Sequence, residues 1–398
     1  MIEYIECRNA NRALLGIIDD FNSVIWHTEY FGTGDFEVHT PFTEEHRSWL
    51  AIGNFITRPD SVQIGIIERL SITYTPEEGR MLTAAGRFCL CLLERRLCLK
   101  PLVNYRAKTT TISAGTKTEV AARQLITDHI INPAWARRKI SFIALGTIKN
   151  LIGITEERQS TYQNLLSFSQ KVLQNGKENN IPSPYGAYMG FSRSDKKLYY
   201  NVYKGQDRSS GSKTVSFGVK PLIFSEDFDN LTSFEYTKDI TNYKNDGVAG
   251  GEGEGASRFY YYLYPDYNAK RDGMKRFEQF FDESSISQTY QNAAGNDATY
   301  SNAQYAKILQ TEGKSLLKDY PIETIIIGDI DVTNTGLKFA PTPEDDGDYC
   351  VGDIILLKDK KINISIGSRI TSMTEVQDSE GYSAAASFDD EIDDSEDE

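Results

Sequence analysis

A glycine-rich stretch, Ala249-Gly250-Gly251-Glu252-Gly253-Glu254-Gly255-Ala256, matches a loose dinucleotide-binding spacing at Gly251, Gly253 and Ala256. Such a loop needs a buried strand before it and a helix N-terminus after it, so that main-chain N–H groups face a pyrophosphate. Here the polar run Asn242–Asp246 precedes it, Tyr-rich sequence of strand character follows, and Glu252 and Glu254 would repel phosphate. The segment reads instead as a turn that needs positive φ and close packing. Cys89, Cys91 and Cys98 lack zinc-knuckle spacing and have no histidine nearby, which leaves them as small buried hydrophobes. His27, His39, His46 and His129 are isolated and form no H-E-x-x-H pair, so they read as surface or sheet histidines. The carboxylate pairs Asp19-Asp20 and Asp345-Asp346 have the residue type a glycosidase needs, but both sit beside turn formers, where solvated carboxylates are ordinary. Tyr260-Tyr261-Tyr262 would suit a sugar platform, except that consecutive strand residues point to opposite faces. The basic pairs Arg95-Arg96 and Arg137-Arg138 are too short to make a nucleic-acid stripe.

The elements that position these residues are mostly strands. In residues 1 to about 105, Val24, Trp26, Thr28 and Tyr30 share one face, and FGTGD turns the chain into Phe36, Val38 and Thr40, a hairpin signature. Val62, Ile64 and Ile66 alternate, and a phase slip to Leu70, Ile72 and Tyr74 predicts a bulge between Ile66 and Ile67. Thr75-Pro76-Glu77-Glu78-Gly79 is the next turn. Residues 106–222 read as α/β. One helix opens with a capping box at Thr116 and Glu119 and carries the stripe Ala122, Ile126 and Ile130. A second carries Leu165, Phe168 and Val172 and stops at Asn175-Gly176. Residues 223–388 return to strands, including Phe234–Ile240, Arg258–Tyr264 and an alternation at Ile362, Ile364 and Ile366. A helical insert occupies about 266–321, and its best helix starts at Ser301 with Gln304 in capping-box position. The expected fold is α+β and β-rich: two small antiparallel barrel-like domains with intervening and inserted α/β elements, then an acidic tail at 389–398.

The charge and composition of the 398 residues exclude several classes. The net charge of −14 falls to −6 once the eight acids of the last ten residues are set aside, so sequence-specific nucleic-acid binding is not expected. The tail itself, DDEIDDSEDE, has too little apolar surface to order and is expected to be mobile. Apolar runs are far shorter than the roughly 20 residues of a membrane span, and the N-terminus lacks signal-peptide character, so assembly in the cytoplasm is the expectation. Five cysteines, an odd number, argue against a disulfide framework.

An ordered series of local motifs runs through residues 11–388: Trp26, Gly34-Asp35-Phe36-Glu37, Gly53-Asn54-Phe55-Ile56, Gly65-Ile66-Ile67-Glu68, and Gly86-Arg87 before Leu92–Arg96. It continues with Asp229-Asn230-Leu231, Tyr243-Lys244-Asn245, the loop of Gly250, Gly253 and Gly255 with Arg258, then Gly352-Asp353-Ile354 and Arg369-Ile370-Thr371. In this order the series resembles the tail-hub, or baseplate-hub, family of long-tailed bacteriophages and phage-derived particles. The resemblance implies a virion protein at the tail tip, assembled in the host cytoplasm. It implies a homotrimeric ring, two barrel-like domains per chain, and a channel for DNA that joins the six-fold tail tube to a tip, spike or fibre protein. It also implies that Trp26, Gly34, Asp35, Phe36, Gly86, Arg87, Asn230, Tyr243, Lys244, Asn245, Gly253, Gly255, Arg258, Gly352, Asp353 and Arg369 are structural positions, with no catalytic residue, metal ligand or cofactor. Some relatives continue into a peptidase or muramidase module; ending after the second β region, this chain is expected to carry none. Two other classes stay open: a hydrolase with a dispersed acidic pair, and a glycan-binding receptor module.

Overall fold

The computed structural model describes residues 2–77, 79–101, 109–179, 181–209, 219–291, 296–330, 337–361 and 364–388. Glu78, Ile362, Asn363 and the acidic tail lie outside the described residues. Contacts divide the chain into two units, Met1–Glu235 with Ile326–Glu398, and Tyr236–Ile325.

In the first unit the alternation around Trp26 becomes the strand Ser23–Glu29, paired antiparallel with Asp35–Pro41 so that Trp26 faces Phe36 and Val24 faces Val38. Val24, Trp26, Thr28 and Tyr30 are all buried. Gly34, at φ +65°, makes the turn. A longer hairpin, Ile64–Thr75 with Gly79–Phe88, turns at Gly79 with φ +75°. Its bulge lies between Ile67 and Arg69, not between Ile66 and Ile67. The extra residue is Glu68, and the kink turns its carboxylate to Arg87 and Arg95.

The strand Ile364–Asp378 pairs antiparallel with Ser23–Glu29, setting Glu375 opposite Trp26 and Met373 opposite Thr28. The first and last β regions therefore share one sheet. Its path runs from Leu231–Asp239 through Glu323–Ile330, Gly381–Phe388, Ile364–Asp378, Ser23–Glu29, Asp35–Pro41, Gly79–Phe88, Ile64–Thr75, Phe55–Thr57 and Ile5–Arg8 to Leu14–Ile18. The path is open, so the described strands form no closed barrel, contrary to what the first β region read alone suggests. The physical reason is that Ser23–Glu29, which would have to close that barrel, gives its free edge to the C-terminal strand. One core, with Ile5, Ile18, Trp26, Phe36, Ile56 and Leu82, fills the inside of the first β region.

The middle section packs the helices Thr118–Ile126 and Leu165–Gln174 with the hairpin Gly186–Ser192 and Lys197–Tyr203 around a second core. Ala122, Ile126 and Ile130 are fully buried, as their spacing implies. The capping box at Thr116 does not form. The helix starts at Thr118 after Lys117, and Thr116 Oγ1 donates to the Ser113 carbonyl. Glu119 turns inward and accepts from the main-chain N–H groups of Lys149 (2.7 Å) and Leu151 (3.0 Å). A buried carboxylate gains more from two loop N–H groups than from one helix terminus.

The second unit sets the helix Asn302–Leu317 against a sheet of Tyr260–Tyr262, Asp246–Gly250 and Glu278–Asp282. The capping box of Ser301 and Gln304 is present. Tyr305, Leu309 and Leu317 bury against Ala249, Leu263 and Phe281. The stretch 266–321 is thus mixed, with short strands as well as this helix.

Candidate functional site

The sequence motifs assemble into three structural clusters. In the first, Trp26 Nε1 donates to Gln63 Oε1 at 2.7 Å, and its ring lies 4.8 Å from Phe88 and 6.2 Å from Phe36. Gly86 stands where a Cβ would fall 1.9 Å from the Ile66 carbonyl oxygen and 2.9 Å from Phe36, so only glycine lets the two strands and the ring approach. Asp35 accepts from His27 at 3.1 Å, and this bond is the main cause raising the His27 pKa. Arg87 forks onto Glu68 with bonds of 2.8 and 3.2 Å.

The second cluster joins distant segments of the first unit. Asp353 is 1% exposed and accepts from Gln206 N at 2.7 Å and from Arg208 Nε at 2.6 Å. Burial still raises its pKa above the ordinary carboxylate value. Arg369 donates to the Gly352 carbonyl at 2.6 Å and lies over the Tyr30 ring at 5.4 Å. Gly352 sits at φ +95°, where a Cβ would strike Tyr30. The Tyr30 hydroxyl donates to Pro184 O at 3.0 Å, and its ring meets Tyr203 edge-on at 5.2 Å. One tyrosine thereby ties the first strands, the α/β section and the C-terminal strands together. Asn230 holds the approach to Leu231–Asp239, accepting from Ser225 N and donating to Ile223 O, both at 2.9 Å.

The third cluster belongs to the second unit. Tyr243 packs edge-on to Phe277 at 5.2 Å, Lys244 N donates to Tyr320 O, and Asn245 bonds both Phe277 N and Lys275 O. Gly253 and Gly255 take φ +106° and +52°, the positive φ that the glycine loop implies. Arg258 donates to the Gly250 and Gly251 carbonyls and to Asp282, closing that loop on itself.

Three of the chemical candidates differ from their sequence reading. Asp345 is not solvated: it accepts from Val62 N at 2.7 Å and Ser61 Oγ at 2.8 Å, and burial raises its pKa. His129 is no surface histidine. It is 1% exposed, both ring nitrogens lack partners, and burial, with Arg138 beside it, lowers its pKa to about 4. His46, 7% exposed on the helix Glu44–Trp49, is likewise neither a surface nor a sheet histidine. The tyrosines follow strand alternation: Tyr261 packs on the core while Tyr260 and Tyr262 share an exposed face, 51% and 62% accessible, which Phe280 from the far strand of that sheet joins at 47%. The buried cysteines behave as hydrophobes; burial pushes the Cys91 and Cys98 thiols up to about 11, so they stay protonated at neutral pH.

Sequence reasoning missed the buried set around Arg58, which donates to Glu375 at 2.7 Å and forks onto Asp60 at 3.0 and 2.7 Å, while Tyr382 donates to Glu375 at 2.7 Å. Nothing local signals a partner 317 residues away. Among the described residues, no three His, Cys, Asp or Glu come together as a metal site.

Solved structures that share this fold include two tail proteins. A tail protein from Neisseria meningitidis MC58 superposes with a TM-score of 0.54 at 12% identity, over 97% of this chain and 96% of that one. The 43 kDa tail protein of prophage MuSo2 from Shewanella oneidensis gives 0.53 at 10% identity, over 98% of both. No curated protein matches. The Siphovirus ReqiPepy6 Gp37-like family profile matches residues 4–388, nearly the whole chain, and this protein belongs to that family.

Proposed function

We propose that this chain is a structural hub subunit at the tip of a phage tail, three copies forming a ring around a channel for DNA. The observation that carries the reading is where the buried polar groups are spent. Arg58–Glu375, Arg208–Asp353 and Asn230 each tie segments of the chain together, and the cavity that Arg208 and Asp353 line holds only about 110 Å³. Family membership and the tail-protein fold support the same role.

In this reading the first β region, residues 1–105, and the last, residues 223–388, alternate around the ring, so three chains match a six-fold tube. The α/β section lies at the periphery. Contacts are heterologous, each subunit covering a different sheet edge of the next, which removes exposed strand edges. The exposed apolar residues Leu14, Leu15 and Ile17 of the strand that ends the sheet path suit such an edge. The partners are the distal tail or tail-tube protein on one side and a tip, spike or fibre protein on the other, with a wall of neutral or acidic character so that DNA does not adhere. Copy number in the assembled tip, by cryo-electron microscopy or native mass spectrometry, tests this. Three copies with both β regions lining the channel is the expected result; another stoichiometry, or one β region only, overturns it.

A second reading, glycan binding, is favoured by one observation: the shared exposed face of Tyr260, Tyr262 and Phe280, with the Arg258 guanidinium 5.7 Å and 5.5 Å from the Tyr260 and Phe280 rings. Saturable binding of host polysaccharide that is lost in Tyr262→Ala would establish it.

A further inference from the structure

The sheet of Ile143–Leu145, Lys197–Tyr203 and Gly186–Ser192 turns Met189, Leu198, Tyr200 and Val202 into the second core. By alternation, Gly190 and Ser192 on one strand and Tyr199 and Asn201 on its neighbour point the other way. These four line a cavity of about 470 Å³ together with Gly146 and, from far along the chain, Glu344. All of them belong to the first unit. The volume falls within the range of about 300–1,000 Å³ found for small-molecule clefts.

Floor and rim are tied to the same segment. Phe191 N donates to Val62 O at 2.7 Å, and Val62 N donates to the Asp345 carboxylate at 2.7 Å, which anchors the neighbouring Glu344 over the sheet. The Tyr199 hydroxyl donates to Asp195 at 2.6 Å and fixes that ring.

The polar groups in the cavity form a donor–acceptor pair. Asn201 is 1% exposed; its Nδ2 donates to Tyr199 O at 3.1 Å, which uses one of two N–H groups, and its Oδ1 has no partner. Glycines flank this amide on both sides. A Cβ on Gly146 would fall 1.8 Å from Asn201 Oδ1, and one on Gly190 would stand 3.2 Å from Asn201 Nδ2 and 3.6 Å from Glu344 Oε2. The space left by the absent Gly190 side chain is therefore bordered by a donor and an acceptor. A hydroxyl, which both donates and accepts, matches the two together, whereas an ammonium only donates and a carboxylate only accepts. Lys149 Nζ, 4.0 Å from Glu344 Oε1, offsets the charge that would otherwise favour a cation.

We propose that this cavity binds a pyranose ring of a neutral saccharide, with a ring hydroxyl held between Asn201 Nδ2 and Glu344 Oε2 and Tyr199 along one wall. Its lining includes a single carboxylate, whereas glycoside hydrolysis uses two, so the role is binding without cleavage. The inference does not rest on the hub reading. It also concerns a different site from the face of Tyr260 and Tyr262, which belongs to the second unit.

The test uses the full chain and the methyl pyranosides of glucose, galactose and N-acetylglucosamine, followed by saturation-transfer NMR and titration calorimetry. Saturable binding of at least one is expected, and Glu344→Gln and Gly190→Ala should each weaken it at least about tenfold. The first removes the charged acceptor at nearly constant shape; the second fills the space above the floor. Arg47→Gln, an exposed arginine on the helix Glu44–Trp49, leaves binding unchanged. Thermal midpoints check that each variant is folded, and Glu344→Gln, at the half-buried rim, keeps the test decisive if Gly190→Ala disturbs its strand. No saturable binding of any of the three sugars, or parental affinity in either folded cavity variant, would overturn the proposal. So would tighter binding of N-acetyl-lysine methylamide, which would make this a cation site. Loss of sugar binding in Tyr262→Ala with retention in Glu344→Gln would place the sugar on the second unit and overturn it equally.

Discussion

Arg58 and Glu375, 317 residues apart, meet at 2.7 Å with side chains 2% and 3% exposed, and their contact joins the first β region to the strand that completes its sheet. A buried pair of this kind is costly to break because the remaining charge stays desolvated. Glu375→Leu or Arg58→Met alone should each lower unfolding free energy by about 3–5 kcal/mol, and the double variant Arg58→Met with Glu375→Leu should recover much of that loss. Urea denaturation of the four proteins measures this. If the losses of the two single variants simply add in a double variant, the pair is not coupled.

Asp353→Asn tests the second junction in the same manner. The substitution keeps the shape but leaves the Arg208 guanidinium, whose Nε lies 2.6 Å from the carboxylate, without its counter-charge. A loss of about 3–5 kcal/mol is expected by the same reasoning. Burial also raises the folded pKa of Asp353, so protonation costs the folded state little in mild acid. The folded state therefore takes up a proton at this site more readily than the unfolded chain, so the parent gains on the Asn variant and the penalty of the substitution should grow as pH falls toward the carboxylate range; a constant penalty across that window would contradict the assignment.

Gly86→Ala is the sharpest single test of close approach. The added methyl would lie 1.9 Å from a main-chain oxygen, which cannot rotate away as a side chain can. Separating the strands costs about 1–3 kcal/mol or more, whereas Gly79→Ala, at a turn with open space around it, is governed by its φ of +75° alone. Thermal denaturation that ranked Gly79→Ala as clearly the worse of the two would show that the strands are not held as tightly as described.

What was legible in the sequence was what depends on near neighbours. The face of Val24, Trp26, Thr28 and Tyr30, the turn at Gly34, the cap at Ser301 and the positive φ of Gly253 and Gly255 all follow from residues within a few positions of one another. What was not legible depends on where the chain returns. Glu119 reads as a cap because helix caps are local, but its ligands are N–H groups about 30 residues on. Asp345 reads as a turn carboxylate because its partners, Ser61 and Val62, lie more than 280 residues back. The barrel expectation failed for the same reason: an edge strand is free only until a distant strand pairs with it.

His129 offers a prediction in which the sign can be worked out. Its ring is buried without hydrogen-bond partners, and burial is the first cause holding its pKa at about 4; Arg138 and Lys100 lower it further, while Asp128 opposes them. In the unfolded chain the same group titrates near 6.5. Between these values the unfolded state binds a proton that the folded state refuses, so stability falls as pH falls from about 6.5 to about 4 and the full penalty is present below that. One such group contributes a slope of at most about 1.4 kcal/mol per pH unit. Carboxylates with raised folded pKa values, Asp345 and Asp353 among them, act with the opposite sign at the acidic end, so the histidine must be isolated by difference. His129→Leu removes two unpaired polar atoms and the titration together. Its stability at neutral pH should be close to or above that of the parent, because nothing loses a hydrogen-bond partner. On acidification it should gain on the parent steadily through the window from about 6.5 to about 4. Urea midpoints of both proteins at about pH 7, 5.5 and 4.5 supply the comparison, and parallel curves would mean that the ring is protonated, or hydrated, in the folded state.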